Sequence, residues 1–250
     1  MAIFKESIDI SFCKNTFRNF IKKLGYSYKR FRFIPAKKPD EKFYLYKKSI
    51  LEKYEKLADT GKIDLYFFDE SGFSNVSNIP YGWSPVGETL TINSSYSKRF
   101  NVLGFLNKKG DFYYKVEEGK INSEKVIEIF DSFSKTLTKP TVVVLDNASI
   151  HRSNKFKQES IKWAERGLSL FYLPPYSPQL NAIEILWKFV KYYWINIDAF
   201  KSYENMKNYV VDVLNELKKG NKTINFNNCK NILYNQIKLL ANISNTKIRV

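Results

Sequence analysis

Short apolar runs, each the length of a strand, recur through the middle of the chain. Residues 63–68 and 141–145 are rich in β-branched or aromatic side chains, which is typical of buried strands. Further strands are predicted at residues 87–93, 100–106, 111–116 and 168–173. Lys108-Lys109-Gly110-Asp111 predicts a hairpin turn between two of them.

Helical periodicity follows and separates these strands. It predicts helices at residues 41–59, 122–137, 153–165, 184–195, 203–218 and 227–242. Three antiparallel strands followed by alternating helices and parallel strands is the order of a ribonuclease-H-like fold. We therefore predict an α/β protein with a mixed sheet of about five strands flanked by helices.

The amino-terminal segment combines a helix with a basic, aromatic tail. An apolar set between Ile10 and Leu24 predicts the helix, and Gly25 is placed to end it. Residues 26–33 alternate aromatic and basic side chains, as a strand or wing does, and residues 35–40 indicate a linker.

The net charge of +16 indicates a polyanionic partner, either nucleic acid or an anionic membrane surface. A generally cationic surface is the alternative, but residues 14–38 carry nine Lys or Arg and no Asp or Glu. No apolar run is long enough to span a bilayer, and no stretch has the form of a secretion signal. Cys13 and Cys229 lie far apart and His151 is the only histidine, so we expect a cytoplasmic protein without a zinc site.

Three acidic residues stand where side chains can converge. Asp69 and Asp146 each end an apolar run, and Glu184 begins a helix after a proline-rich loop, residues 173–178. Hard divalent cations prefer oxygen ligands, so this set fits a pair of such ions. The alternatives are structural: strand-end aspartates form turns, and Asn181 with Glu184 fits a capping box in which Asn181 caps the helix.

Four motifs in order resemble one family, the DDE endonuclease domain of bacterial insertion-sequence transposases related to mariner elements. They are Asp69-Glu70-Ser71-Gly72-Phe73, residues 81–88, Leu145-Asp146-Asn147-Ala148-Ser149-Ile150-His151, and the segment from Pro174 to Glu184 followed by Trp187. The resemblance covers residues from about 60 to about 200 of the sequence. Ala182 departs from it, since the family usually has proline there, but alanine is well tolerated in helices.

This resemblance implies a DDE-type DNA transposase with Asp69, Asp146 and Glu184 as its catalytic acids. The last two are 38 positions apart, a short interval of the kind the family shows. The acids would hold two Mg²⁺ or Mn²⁺ ions, and no protein nucleophile is required. Water would attack first and release a 3′-hydroxyl that attacks target DNA; this second step is implied by the resemblance alone.

Four neighbours of the acids have open roles. Asn147 and His151 are either turn and helix-start residues or a pair near the metals and DNA. Lys188 and Lys191 lie on the Glu184 side of their helix and either contact phosphates or form a solvated basic face.

The amino-terminal segment resembles the last helix and wing of the helix-turn-helix region that precedes the catalytic domain in this family. The earlier helices of that region are not evident, which suggests a fragment or one frame of a split element. Phosphate contacts are expected from Lys22, Lys23, Lys29, Arg30 and Arg32.

The predicted organisation has four parts: a partial helix-turn-helix and wing at 1–38, a linker and helix at 39–61, the catalytic domain at 62–200, and C-terminal helices packing on it at 201–250. Double-stranded DNA, both terminal repeats and target, is the expected partner. A homodimer on DNA, a nucleoid-associated cytoplasmic location and no membrane are also expected. A related metal-dependent nuclease or resolvase, or a truncated DNA-binding remnant, are the alternatives.

Overall fold

The computed structural model of this chain describes residues 13–26, 40–76, 97–222 and 224. It divides into two compact units, residues 1–37 and residues 38–250. The strand predicted at 87–93, the helix predicted at 227–242 and most of the predicted wing lie outside the described residues. The four-part division of the chain stays a prediction.

The first unit contains helix α1 (Lys14–Lys23). Its N-cap is Cys13, whose thiol sulfur accepts a hydrogen bond from the N–H of Thr16. Gly25 adopts φ +82° just after the helix, a left-handed conformation that glycine reaches without steric cost. The predicted helix and its glycine end are confirmed.

A five-stranded sheet of order β3-β2-β1-β4-β5 organises the second unit. Its strands β1, β2 and β3 are antiparallel neighbours, whereas β4 and β5 run parallel to β1. This is the predicted ribonuclease-H-like arrangement. The strands are β1 (Asp64–Ser74), β2 (Arg99–Asn107), β3 (Phe112–Glu118), β4 (Thr141–Leu145) and β5 (Leu168–Tyr172).

Helices cover both faces of the sheet. One face is packed by α2 (Glu41–Asp59), α5 (Ile183–Phe189) and α6 (Tyr203–Lys218). The other is packed by α3 (Ser123–Ser134) and α4 (Asn154–Glu165). The bounds of α2 and α6 are those predicted, and α5 continues as a π-helical turn, Val190–Trp194, close to the predicted end at 195. No helix among the described ranges has the length and apolarity to cross a membrane.

Alternation along β1 supplies a core on each face. Phe67 and Phe73 join the core under α5 and α6, whereas Phe68 joins the core under α3 and α4. In the second core the Phe68 ring lies 4.6 Å from that of Phe130, which stacks 5.1 Å from Trp163. Side chains of neighbouring β1 positions therefore reach opposite faces of the sheet.

The prediction that Asp69 ends its strand is wrong, because β1 continues to Ser74. Parallel pairing with β4 stops at Phe67 and Val144, but antiparallel pairing with β2 continues to the Ser74–Arg99 pair. Asp69 therefore lies inside β1, just beyond its last parallel pair.

Candidate active site

Asp69 faces the α5 side of the sheet, where other carboxylates approach it. Burial raises the pKa of Asp69 well above its ordinary value, and the negative charges of Glu184, Glu70 and Asp146 raise it further. A carboxyl group in this position resists ionisation unless a positive charge stands beside it.

Asp146 directly follows β4, as predicted, and His151 fixes its position. Asp146 Oδ1 accepts the N–H of Ala148 at 2.9 Å and lies 2.8 Å from His151 Nδ1. On its other side His151 Nε2 lies 3.0 Å from Glu70 Oε1. The histidine thereby joins the residue after β4 to a residue of β1.

The charge of this histidine follows from its partners. His151 is only 1% exposed. Burial opposes its positive charge, but the hydrogen bonds to Asp146 and Glu70 outweigh burial and raise the pKa of His151 to about 9. At neutral pH the imidazolium therefore donates to both carboxylates. Although burial opposes ionisation of Asp146 as well, the same hydrogen bond and that of Ala148 hold the pKa of Asp146 below its ordinary value.

Glu184 lies in the first turn of α5. Burial raises the pKa of Glu184, with Asp146 adding to the effect and Lys191 opposing it. Its own backbone N–H donates to the carbonyl of Asn181 at 3.1 Å. The carboxylate is thus presented by the helix start that follows the proline-rich loop.

The capping-box interpretation of Asn181 and Glu184 is wrong. Ala182 is the N-cap of α5 and makes no side-chain cap hydrogen bond. Asn181 Nδ2 instead donates to the Phe68 carbonyl at 3.0 Å, and the Asn181 N–H donates to the Pro178 carbonyl at 2.9 Å. The asparagine therefore joins the loop to β1, one residue before Asp69.

A glycine on β2 lets α5 approach the sheet beside Asp69. Gly104 is the register partner of Asp69. A Cβ at Gly104 would lie 2.9 Å from Phe112 and 3.1 Å from Trp187. Because that space is free of a side chain, Trp187 packs against the sheet one turn after Glu184.

One cavity of about 390 Å³ brings the three predicted acids together. Asn147, Arg152, Asn181 and the loop from Leu173 to Pro178 also line it. A larger depression of about 540 Å³ lies between α4 and β5, but no acidic residue lines it. The smaller cavity is therefore the candidate site, because it is the one of these two that acidic side chains line.

The residues of this cavity fit a hard divalent cation. All three acids offer oxygen, and Asn181 Oδ1 is buried without a hydrogen-bond partner. Burial first, and then the negative charge of neighbouring carboxylates, raise the pKa values of Asp69 and Glu184, and a bound cation would offset both effects. In the positions the side chains occupy here, no group of three or more Asp, Glu, His or Cys residues in the described ranges is arranged so that it could hold a metal ion.

The three other predicted neighbours, Asn147, Lys188 and Lys191, have different surroundings. Asn147 donates its Nδ2 hydrogen bond to the Leu173 carbonyl and so holds the loop against the end of β4. Lys191 lies with its Nζ 5.3 Å from the Phe73 ring centre, and the charges of Asp69 and Glu184 reach it. Burial lowers the pKa of Lys191. Lys188 is exposed and has no ion pair among the described residues.

The predicted DNA-contacting residues lie in the first unit or outside the described residues. Lys22 and Lys23 are exposed in the last turn of α1. Lys29, Arg30 and Arg32 lie outside the described residues.

Two residues with contacts at this site were missed from the sequence. Glu70 is the second partner of His151, and Arg152 lines the cavity. The signal for Glu70 was alternation along β1, which sends it to the face opposite Asp69. The signal for Arg152 was its place directly after His151.

Several solved structures of the mariner transposase Mos1 have the same fold as this chain. The Mos1 paired-end complex with Mg matches with a TM-score of 0.57 and 15% identity, covering 86% of this chain and 70% of that chain. The Mos1 transposase paired-end complex with the left transposon end has a TM-score of 0.56 at 15% identity and the same coverage. The Mos1 strand transfer complex has a TM-score of 0.53 at 14% identity, over 86% of this chain and 69% of that one.

A curated relative is the uncharacterised protein y4pE/y4sA of Sinorhizobium fredii, 32% identical over 76 residues. The match covers 30% of this chain and 52% of the relative, so the chain spans about half the length of the curated relative it matches.

The motifs around Asp69, Asp146 and Glu184 all fall within one matched region. The resemblance drawn from those motifs is confirmed at the level of the family. A model of the DDE superfamily endonuclease family matches residues 64–207, more than half of the chain, and the chain belongs to that family.

Proposed function

We propose that this chain is a DNA transposase that cuts the ends of its element and joins them to target DNA with divalent cations. One observation carries the proposal: Asp69, Asp146 and Glu184 line a single cavity. They come from β1, the end of β4 and the start of α5, although 115 positions separate the first from the last. Membership of the DDE endonuclease family supports the reaction class.

The three acids serve as ligands for Mg²⁺ or Mn²⁺, and we propose two ions. Bound divalent cations lower the pKa of an attacking water and stabilise charge on the leaving oxygen. His151 holds one oxygen of Asp146 and leaves the other available, since the Asp146 side chain is 53% exposed. Asn181 keeps the loop beside Asp69.

DNA is the substrate that the charge distribution favours. The chain carries a net charge of +16, yet its candidate site is acidic, so attraction to phosphates must come from cations around the acids. Arg152 lines the cavity without an ion-pair partner among the described residues, and Lys191 stands near Asp69 and Glu184. We assign both to contacts with phosphates beside the scissile one. Asn147 also lines the cavity, and Lys188 is exposed on α5 one turn after Glu184.

Transposition is preferred to simple cleavage because the shared fold is that of the Mos1 complexes. A nuclease or resolvase would use the same acids without the joining step, and a silent DNA-binding remnant would not need them. The presence of all three acids in one cavity, with Asp146 held by His151, argues against a remnant. We further propose a homodimer on DNA, located at the nucleoid in the cytoplasm.

Cleavage of a duplex that carries the element's terminal repeat tests this proposal. We expect cleavage with Mg²⁺ or Mn²⁺ and none after exhaustive chelation. Asp69→Asn, Asp146→Asn and Glu184→Gln should each abolish cleavage and leave DNA binding largely intact, because affinity comes from Lys and Arg. Glu165→Gln on the exposed face of α4 is the matched control and should cleave normally.

Three results would decide against parts of the proposal. Cleavage that survives chelation, or that survives Glu184→Gln, removes the metal mechanism. A precut end with a free 3′-hydroxyl should be joined to a second duplex, and cleavage without any joined product would leave a nuclease.

A further inference from the structure

We propose that Tyr176 is a stacking platform for an unpaired base next to the scissile phosphate. This inference rests on the proposed DNA-cleaving function. It assigns a substrate contact to Tyr176, which has no role in the proposed binding of metal ions by the three acids. The ligand is a nucleobase that has left the duplex, and the contact is with the face of the phenol ring.

The backbone at Tyr176 is in an unusual conformation. Its φ is +55°, and it is the only residue other than glycine with positive φ in the described ranges. An aromatic residue has a steric cost in the left-handed region, which glycine at the same position would avoid. Such conformations cluster at ligand-binding sites, where surrounding structure enforces them.

The conformation leaves the ring exposed at the acid-lined cavity. Tyr176 is 58% exposed and is one of the residues that line the cavity with Asp69, Asp146 and Glu184. Its ring has no aromatic partner and its hydroxyl no hydrogen bond among the described residues. Packing within the described part of the chain therefore does not account for a tyrosine here.

The loop that presents Tyr176 is fixed at both ends. Before it, the Leu173 N–H donates to the Leu145 carbonyl at 2.9 Å and Asn147 donates to the Leu173 carbonyl. After it, Asn181 donates to the Phe68 carbonyl at 3.0 Å. Prolines at 174, 175 and 178 restrict the backbone between these anchors. A ring on such a loop loses little freedom on binding, which favours a stacking contact.

The surroundings favour a nucleotide as the ligand. Arg152 lines the same cavity and offers a cation for phosphate, while the acids mark the position of the scissile bond. A base that is paired and stacked in a duplex does not offer its face to a protein ring, so the base that meets Tyr176 must be unstacked. Aromatic rings bind such bases with little dependence on their identity.

Photo-cross-linking combined with binding measurements on the full chain tests the inference. The probe is a terminal-repeat duplex with 5-iodouracil in place of single bases on each side of the scissile phosphate. Asp69→Asn serves as the background to prevent cleavage, and the cross-linked peptide is mapped by mass spectrometry. We expect the cross-link from the base beside the scissile phosphate to lie on Tyr176.

Three substitutions separate the ring from the backbone strain. Tyr176→Phe keeps the ring and should keep the cross-link and the affinity. Tyr176→Ala removes the ring, and Tyr176→Gly removes both ring and strain; each should lose the cross-link and bind a duplex with an unpaired base there about tenfold more weakly. Tyr192→Ala is the matched control, since Tyr192 is 56% exposed but does not line the cavity.

Two outcomes overturn the inference. If Tyr176→Gly binds and cross-links like the parent, the ring is not used. If Tyr176→Phe fails as badly as Tyr176→Ala, the hydroxyl and not the ring face makes the contact. Neither outcome bears on the proposed function, because cleavage by the parent chain would still depend on Asp69. Cleavage that persists in Asp69→Asn would instead refute the proposed function itself.

Discussion

His151 connects two elements of the candidate site through hydrogen bonds to two carboxylates. One ring nitrogen contacts Asp146, directly after β4, and the other contacts Glu70 on β1. Glu70 precedes His151 by 81 positions in the sequence. Because Asp69 and Glu70 are consecutive, this one side chain fixes the spacing between β1 and the residue after β4. Its charge therefore affects both the stability of the fold and the geometry of the acids.

The stability that His151 contributes should depend on pH. Its pKa is raised from 6.5 to about 9 by its two carboxylates, after burial has opposed them. The contribution is fully present below pH 6.5 and is lost as pH rises through about 9. The free energy of unfolding of the parent minus that of His151→Gln should therefore shrink by about 3 kcal/mol over this range. Urea unfolding at several pH values checks this, and a difference independent of pH would contradict it.

Asp69 should have the opposite effect on stability. Its pKa is raised well above 3.8 by burial and then by Glu184, Glu70 and Asp146, so ionised Asp69 destabilises the fold as pH rises. Without divalent cations at neutral pH, Asp69→Asn should raise Tm by about 2–4 °C. The gain should vanish at pH values below 3.8, where the carboxyl is protonated in both states. A scan with chelator at two pH values measures it; a lower Tm for the variant at neutral pH would contradict the repulsion.

Sequence reasoning found the three acids but not the contacts that hold them. Asp146 was placed correctly because a five-residue apolar run marks the end of β4 locally. The extension of β1 past Asp69 depends on pairing with β2, which no local pattern reveals. The role of Asn181 likewise depends on a carbonyl 113 positions earlier, at Phe68. Local capping rules therefore gave the wrong partner for that side chain.

At the scale of the elements, the approach of α5 to β2 positions Glu184. Trp187 packs over Gly104, the residue opposite Asp69, so the distance between helix and sheet is set by the missing side chain. Periodicity predicted that these elements exist and gave the bounds of α2 and α6, since each has a full amphipathic pattern. It could not predict the π-helical turn after α5, because that turn follows from packing.

Gly104→Ala should lower both the cleavage rate and the stability of the fold. The added Cβ would lie 2.9 Å from Phe112 and 3.1 Å from Trp187, and overpacking of this kind costs about 1–3 kcal/mol. Displacement of Trp187 would also move Glu184, and misplacement near 1 Å lowers rates by about 10²-fold. Single-turnover cleavage and Tm are measured together.

Gly110→Ala is the matched control for that substitution. Gly110 lies in the β2–β3 turn at φ +99°, so alanine there is strained but has no neighbour within 4 Å and does not touch α5. It should lower Tm while cleavage at permissive temperature stays near normal. Equal cleavage by both variants would show that the packing of Trp187 over Gly104 does not position Glu184.

At the scale of the whole molecule, the basic and the acidic side chains are concentrated in different parts of the sequence. Residues 14–38 hold nine basic side chains without an acidic one, whereas the candidate site in the second unit collects carboxylates. Affinity and catalysis should therefore respond to different substitutions.

Lys22→Ala and Lys23→Ala should each weaken binding to unrelated duplexes by similar factors. For each phosphate that the variant no longer neutralises, the log–log salt slope should fall in magnitude by about 0.9. Titrations with the terminal repeat and a scrambled duplex at several salt concentrations measure this. Lys162→Ala is the control, because Lys162 pairs with Glu159 at 2.8 Å on α4. A preference for the repeat above about a hundredfold, near 2.7 kcal/mol, would show sequence readout by this segment.

The junction between Asn181 and Ala182 has a consequence for the unfolded chain. Ala182 has φ −63°, the value a proline ring imposes, its N–H has no hydrogen bond among the described residues, and Asn181 before it is extended at ψ 101°. The folded backbone thus already has the shape of the proline that the family usually carries. Ala182→Pro should restrict only the unfolded ensemble and raise the free energy of unfolding by about 0.4–1 kcal/mol. Chemical denaturation measures this gain in the free energy of unfolding. The substitution would lower the conformational entropy of the unfolded chain without altering the folded site.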